Sequence, residues 1–159
     1  MRSMKQATLC FLLRGDDILL AMKKKGFGAG KWNGVGGKFE EGETPEQCAR
    51  REIEEELGVR ATGMDRVAHL RFFFPDTEQY KDWNFDVHVF MVNSWEGEPR
   101  EGEEVAPQWY STKDIPFAQM WADDPHWLPR VLAGEKLAAE FHYADDSNIA
   151  SHSIRVLEA

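Results

Sequence analysis

The distribution of apolar and polar residues predicts a chain rich in strands. Apolar runs at residues 7–13 (ATLCFLL) and 17–22 (DILLAM) flank the turn-forming cluster RGDD, so we expect a hairpin or two adjacent strands. Further strands are predicted for the segments VAHLRFFF, WNFDVHVFMVNSW, PQWYS, EFHYA and SIRVLE. The polar segment 75–82 (PDTEQYKD) is predicted to be the loop between the first two of these.

The clearest helix is predicted over residues 44–57. Thr44 is its expected N-cap, Pro45 its first helical residue and Gln47 the partner that completes a capping box. Gly58 follows the last helical residue and is typical of a helix C-terminus. Both ends of this helix are therefore fixed by local sequence signals.

A second helix is predicted from about Pro125 to Ala133, after a turn or short helix around TKDIPFAQM. Strands dominate while helices intervene, which indicates an α/β chain with a mixed sheet flanked by helices. The 159 residues suit one domain with a sizeable core, which we assign to residues 1–159.

Residues 23–38 (KKKGFGAGKWNGVGGK) are too rich in glycine for a regular helix or strand and are predicted to form a loop. A flexible surface loop is one interpretation. The interleaved Lys, Phe, Trp and Asn residues favour another, a loop that lines a ligand site.

The composition is that of a globular protein, with 42% hydrophobic and 30% charged residues. No stretch approaches the roughly 20 apolar residues of a membrane span, and no signal-peptide pattern is present. The net charge of −9 disfavours long bound nucleic acids, although a small anion accompanied by a cation can bind. Cys10 and Cys48 suggest neither a disulfide framework nor a zinc site. We expect a cytoplasmic monomer that binds no membrane.

A cluster of carboxylates lies near the end of the first helix. At 100° per residue, Glu52, Glu55 and Glu56 fall within an arc of about 100°, while Glu54 points to the far side. Glu52 and Glu56 repel each other unless a cation lies between them, and Arg51 is the only basic residue on the C-terminal half of the helix. A solvated acidic face is one interpretation. A site for Mg²⁺ or Mn²⁺, which prefer oxygen ligands, is the other.

From Gly37 the chain reads GKFEEGETPEQCARREIEEELGV, which resembles the Nudix box. The residues at the fixed positions of that motif are Gly37, Glu43, Arg51, Glu52, Ile53, Glu55, Glu56, Gly58 and Val59. The resemblance implies a Nudix fold, an α/β/α sandwich around a mixed β-sheet. It also implies hydrolysis of a nucleoside diphosphate linked to another group.

The same resemblance implies roles for individual residues. The metal-binding or water-activating carboxylates are Glu52, Glu55 and Glu56. The carbonyl of Gly36 or Gly37 is a further metal ligand, and Arg51 and Glu43 are a pair that holds the loop against the helix. Glu104, in the acidic run EGEE, is a second candidate ligand and base, with plain surface charge as its alternative. The motif does not fix which carboxylate is the base.

Outside the box, MKKKGFGAGKWNGVGGK, IPFAQMWADD and DVHVF resemble segments of the animal-type oxidised-purine nucleoside triphosphatases, which remove 8-oxo-dGTP and related nucleotides. This resemblance extends over nearly the whole chain and implies a purine pocket. Its expected base contacts are Asn33, Trp121, Asp123 and Asp124. Its expected lining comprises Phe27, Phe72 and Phe74, with Thr8 at the floor and Lys23 nearby.

The chemistry of these residues suits a purine. Trp121 offers a flat face, and Asn33 with the two aspartates can read a polar edge. Two neighbouring carboxylates in a closed pocket repel, so we expect one to keep its proton and act as a donor. The alternative is that Asp123 and Asp124 simply favour the start of a helix.

The leading hypothesis is therefore a Mg²⁺-dependent hydrolase that converts 8-oxo-dGTP, or 2-hydroxy-dATP, to the monophosphate and pyrophosphate by water attack at the β-phosphorus. Other Nudix substrates stay open, namely nucleotide sugars, dinucleoside polyphosphates and RNA 5′ ends. A third hypothesis is a nucleotide-sensing module without turnover, which the intact set of carboxylates disfavours.

Overall fold

The computed structural model describes residues 4–157. Its elements, in chain order, are β1 (Lys5–Arg14), β2 (Asp17–Lys23), β3 (Trp32–Asn33), α1 (Pro45–Leu57), β4 (Arg60–Phe73), β5 (Phe85–Glu96), β6 (Val105–Ser111), α2 (Asp124–Leu132), β7 (Leu137–Tyr143) and β8 (Ile149–Val156). A short 3-10 helix spans Phe117–Gln119. The ends of the predicted domain 1–159, and Glu158 of the predicted strand SIRVLE, lie outside the described residues.

The strands form a mixed sheet in the order β3-β2-β1-β5-β4-β7-β8, and β6 pairs with β2. Two neighbouring pairs are parallel, β1 with β5 and β4 with β7. The remaining pairs are antiparallel. The predicted mixed sheet is therefore confirmed, and the parallel pairs bring together strands that are far apart in sequence.

The two helices cover opposite faces of the sheet. Successive side chains of a strand point to opposite faces. On β1, Leu12 belongs to a core cluster with Ile53 of α1, while Phe11 belongs to a separate cluster with Trp127 of α2. Helix, sheet and helix thus form three layers, which confirms the expected α/β/α sandwich. Neither described helix is long and apolar enough to cross a membrane.

The ends of α1 match the sequence signals. The Thr44 hydroxyl accepts the backbone N–H of Gln47 at 3.2 Å, and the Gln47 side chain accepts that of Thr44 at 2.9 Å. Gly58 has φ of 74°, and its N–H donates to the carbonyl of Glu54. This capping fixes the length of the helix that carries the carboxylates.

The hairpin of β1 and β2 is confirmed, whereas the prediction that residues 23–38 contain no strand is wrong at Trp32–Asn33. These residues pair antiparallel with the end of β2, where backbone groups are available. Farther along, the segment packs against β1. A Cβ atom at Gly34 would lie 2.6 Å from the carbonyl oxygen of Cys10, so only glycine allows this approach. The glycine-rich segment is therefore held against the sheet.

Candidate active site

A cavity of about 610 Å³ lies where the glycine-rich segment meets the sheet. It is lined by every substrate-binding residue predicted from the sequence, namely Thr8, Lys23, Phe27, Asn33, Phe72, Phe74, Trp121, Asp123 and Asp124. Gly36, Gly37 and Glu56 line the same cavity. The proposed base pocket and one end of the carboxylate cluster therefore share one space.

Aromatic rings form one wall of this cavity. Phe27 stacks on Trp121, with ring centroids 5.2 Å apart and an interplanar angle of 19°. The edge of Phe27 also meets Trp83 at 4.7 Å, and Phe85 lies 5.5 Å away. Trp83 was not predicted from the sequence as a pocket residue, because only folding brings the end of the loop between β4 and β5 next to Phe27.

The aspartate pair lies deep in the cavity, with Asp123 4% and Asp124 2% exposed. Asp123 Oδ2 accepts the indole N–H of Trp127 at 2.8 Å, and Oδ1 accepts the hydroxyl of Tyr143. Asp124 Oδ2 has no hydrogen-bond partner within the described range. Asp123 precedes α2 and Asp124 is its first residue, as the helix-start alternative expects, although Asp123 makes no side-chain capping hydrogen bond.

Burial raises the pKa of both aspartates, and the negative charge of Asp123 raises that of Asp124 further. Burial and charge together therefore favour the neutral form more strongly at Asp124 than at Asp123. Tyr143, which holds Asp123, was not predicted from the sequence. It lies in an alternating strand segment, and no local pattern separates it from other core residues.

Two polar residues, Thr8 on β1 and Asn33 on β3, complete the pocket. The side-chain oxygen of Asn33 accepts the N–H of Gly34 at 2.9 Å, so its NH₂ group is the donor it can offer. The hydroxyl of Thr8 lies 3.4 Å from Cys48 Sγ and 3.5 Å from the carbonyl of Gly37. Thr8 thus ties the pocket floor to the start of the Nudix-box segment.

Arg51 joins the loop before α1 to the carboxylates on the helix. It donates to both oxygens of Glu43, at 2.6 and 2.9 Å, and to Glu52 and Glu55 at 2.8 and 3.2 Å. The hydrogen bond from Arg51 lowers the pKa of Glu43 to about 2. Arg51 therefore relieves part of the repulsion within the cluster.

Glu56 lies at the boundary between this cluster and the cavity. Burial raises its pKa to about 7, and the charges of Glu52 and Glu104 add to this effect. The N–H of Gly36, which donates to Glu56 at 2.8 Å, opposes it. Burial also raises the pKa of Glu52.

This donor set fits a divalent cation. Carboxylate oxygens are hard ligands, and a cation would offset the cost of burying Glu52 and Glu56 in ionised form. The Glu52 carboxylate packs directly against the backbone of Gly37, where an added Cβ atom would lie 2.7 Å from its carboxyl carbon. Glu55 is more exposed and does not line the cavity.

A second group of potential metal ligands lies on β4 and β5. Ligand atoms of His69, Asp86 and His88 lie within 4.8 Å of one another. Asp86 contacts His69 and accepts Gln6 Nε2 at 2.9 Å, while His88 contacts Arg66 and lies 3.1 Å from Gln6 Oε1. The imidazole planes are nearly parallel at 10°, so one ion cannot lie in both planes. We interpret the group as a hydrogen-bonded network.

Comparison with known proteins decides the family. The model of the NUDIX domain matches residues 4–131. The chain belongs to the Nudix family. This Nudix protein is 41% identical over 152 residues to the oxidized purine nucleoside triphosphate hydrolase of Mus musculus, covering 96% of this chain and 95% of the mouse protein. It is 42% identical over 155 residues to the protein of the same name from Danio rerio, covering 97% and 96%.

The fold also matches a solved structure, that of a mutator MutT protein from Bacillus halodurans. The TM-score is 0.80 at 23% identity, and the match covers 95% of this chain and 97% of that protein. At this identity the likeness supports the Nudix fold alone. Nudix enzymes are hydrolases that generally require a divalent metal ion, in agreement with the oxygen donors around Glu56.

Proposed function

We propose that this Nudix hydrolase converts oxidised purine nucleoside triphosphates, such as 8-oxo-dGTP and 2-hydroxy-dATP, to the monophosphate and pyrophosphate, and so sanitises the nucleotide pool. One observation carries the proposal. Glu56 of the carboxylate cluster and the purine-reading residues Asn33, Trp121 and Asp124 line one cavity. The names of the mouse and zebrafish relatives support the same substrate class.

The pocket residues divide the recognition of the base. The ring of Trp121 stacks on the purine, and Phe27 shields it from water. Asn33 and protonated Asp124 donate hydrogen bonds to acceptor atoms on the purine edge. Lys23, which lines the same cavity, attracts the phosphates.

We propose Mg²⁺ as the cofactor, with Mn²⁺ as a substitute. Its protein ligands would come from the carboxylates of Glu52, Glu55, Glu56 and Glu104 and the carbonyl of Gly36 or Gly37. The carbonyl of Gly37 already accepts the N–H of Thr8 at 2.9 Å, which favours Gly36. The bound ion would neutralise phosphate oxygens and acidify water. Arg51 and Glu43 hold the loop and helix at a fixed separation, and an ionised carboxylate of the cluster accepts the proton of the attacking water.

The test is steady-state hydrolysis of 8-oxo-dGTP and dGTP at low micromolar concentration with Mg²⁺, with identification of the released product. Preference for the oxidised nucleotide, release of pyrophosphate and loss of activity in Glu56→Ala are expected. Glu54→Ala is the matched control, because Glu54 is exposed on the same helix.

Equal or negligible hydrolysis of the two nucleotides would contradict the base-pocket assignment. Nucleotide sugars, dinucleoside polyphosphates and RNA 5′ ends would then be the substrates to assay. Tight binding of 8-oxo-dGTP without Mg²⁺-dependent product would indicate the sensing module instead.

We also propose that the protein acts as a monomer in the cytoplasm. Among the described residues, the exposed large hydrophobic side chains are Phe27 and Val156, which do not suggest an extended apolar interface. Light scattering after size-exclusion chromatography tests the oligomeric state, and fractionation of cells tests the location.

A further inference from the structure

The carboxylate of Asp123 is engaged on both oxygens. The hydroxyl of Tyr143 donates to Oδ1, and the indole N–H of Trp127 donates to Oδ2 at 2.8 Å. The backbone N–H of Asp123 in turn donates to the Tyr143 oxygen at 3.1 Å. Two donors directed at one buried carboxylate favour its ionised form.

Asp124 has the opposite environment. It is as deeply buried as Asp123, yet its Oδ2 lacks a hydrogen-bond partner within residues 4–157. A buried polar atom without a partner is unfavourable, and a ligand in the adjoining cavity can supply one. Asp124 therefore offers a hydrogen-bonding position to a ligand, whereas both oxygens of Asp123 are already in use.

We propose that Tyr143 is a positioning residue, which holds the negative charge on Asp123 and so leaves the proton of the pair on Asp124 for donation to the bound purine. A proton shared by two neighbouring carboxylates resides on the one whose ionised form is less stabilised. This role rests on the proposed function. It adds a residue that influences base recognition through Asp123 without contacting the base itself.

The surrounding charges are compatible with this role. Burial, followed by the charge of Asp123, raises the pKa of Tyr143, so its hydroxyl stays protonated and remains a donor. Tyr143 on β7 and Trp127 on α2 face Asp123 directly. Besides the aspartates, the charged side chains among the described residues that line the cavity are Lys5, Lys23, Lys38, Glu56 and Asp82.

Tyr143→Phe tests the hydroxyl alone. The Tyr143 ring stacks on Phe74, with centroids 4.8 Å apart and an interplanar angle of 13°, and a Phe ring can keep this contact. We expect KM for 8-oxo-dGTP to rise about tenfold, with kcat at saturation nearly unchanged. The acid limb of kcat/KM should move to higher pH, because Asp123 without its donor binds a proton more readily. Tyr110→Phe, outside the cavity, is the matched control.

Asp124→Asn provides the decisive background, because its side chain donates an N–H at every pH. If Tyr143 acts by placing the proton on Asp124, adding Tyr143→Phe to Asp124→Asn should leave KM and the pH profile unchanged. An equal rise of KM in both backgrounds would show that the hydroxyl only supports packing, and would overturn the role.

Two further measurements keep the outcomes separate. Trp127→Phe removes the other donor to Asp123 and should also move the acid limb of kcat/KM to higher pH. If neither Tyr143→Phe nor Trp127→Phe moves this limb, the proposal is contradicted. A wild-type enzyme without preference for 8-oxo-dGTP contradicts the proposed function itself. A selective wild type whose Tyr143→Phe variant keeps its KM and pH profile contradicts only the role of Tyr143.

Discussion

Arg51 binds both oxygens of Glu43, and this two-point contact joins the loop before α1 to the helix. A lysine has a single ammonium group and cannot form the same contact. Arg51→Lys should therefore lower kcat/KM by about tenfold to a hundredfold, since small displacements of catalytic groups are costly. Its thermal unfolding midpoint should also fall.

Arg50→Lys is the control for this change, because Arg50 is exposed on the same helix. Steady-state kinetics and thermal unfolding of both variants test the prediction. Comparable kinetics for the two variants would mean that the Glu43 contact does not hold the site.

The raised pKa of Glu56 makes the stability of the fold depend on pH and on bound metal. Burial raises its pKa from 4.5 to about 7 in the folded protein, so the folded state binds more protons than the unfolded state between these values. Ionisation of Glu56 should therefore reduce the stability of the metal-free protein as pH rises from 4.5 to about 7, by on the order of 3 kcal/mol. A divalent cation that binds the ionised carboxylates should restore it.

Thermal unfolding at several pH values, with Mg²⁺ or with EDTA, measures this effect. In the metal-free protein, the stability of the wild type relative to Glu56→Gln should fall as pH rises, whereas its stability relative to Glu54→Gln should stay constant. His88, whose pKa burial lowers to about 4, contributes equally to both proteins and cancels in this comparison. A difference between the wild type and Glu56→Gln that does not fall with pH would disprove the assignment.

Trp83 predicts an effect on substrate affinity. Its ring lies 4.7 Å from Phe27 and 5.1 Å from Phe74, and it lines the cavity. Trp83→Ala should raise KM for 8-oxo-dGTP by roughly threefold to tenfold, the range expected for one aromatic pair, with little change in kcat. Trp95→Ala, which removes a tryptophan outside the cavity, is the control. A change confined to kcat would show that Trp83 acts in a step other than substrate binding.

Local sequence signals account for the part of the site that could be predicted. Thr44, Gln47 and Gly58 fix α1, so the spacing of Glu52 and Glu56 on that helix follows directly. The contacts of Tyr143 with Asp123 and of Trp83 with Phe27 were not predictable in this way. Each joins residues from different parts of the chain, and only the strand order and the path of the loop between β4 and β5 bring them together.

The short strand Trp32–Asn33 illustrates the same limit. Glycine content indicates that the backbone can take unusual conformations, but it does not indicate which strand edge lies beside it. The end of β2 offers unpaired backbone groups, and Trp32 and Asn33 pair with them. Asn33 is thereby placed at the cavity by strand pairing, although the sequence predicted only a loop there.

Gly37 predicts that one added methyl group impairs the carboxylate site. A Cβ atom there would lie 2.7 Å from the Glu52 carboxyl carbon, closer than real contacts allow, so the carboxylate must move. Gly37→Ala should lower kcat by about a hundredfold, the cost of displacing a catalytic group by about 1 Å. It should also raise the Mg²⁺ concentration needed for half-maximal activity.

At Gly102 the nearest atom to an added Cβ is the Glu56 carbonyl oxygen at 3.7 Å, an ordinary contact, so Gly102→Ala is the matched control. Equal activity and equal Mg²⁺ dependence in both variants would show that the close approach of Gly37 to Glu52 has no part in metal binding.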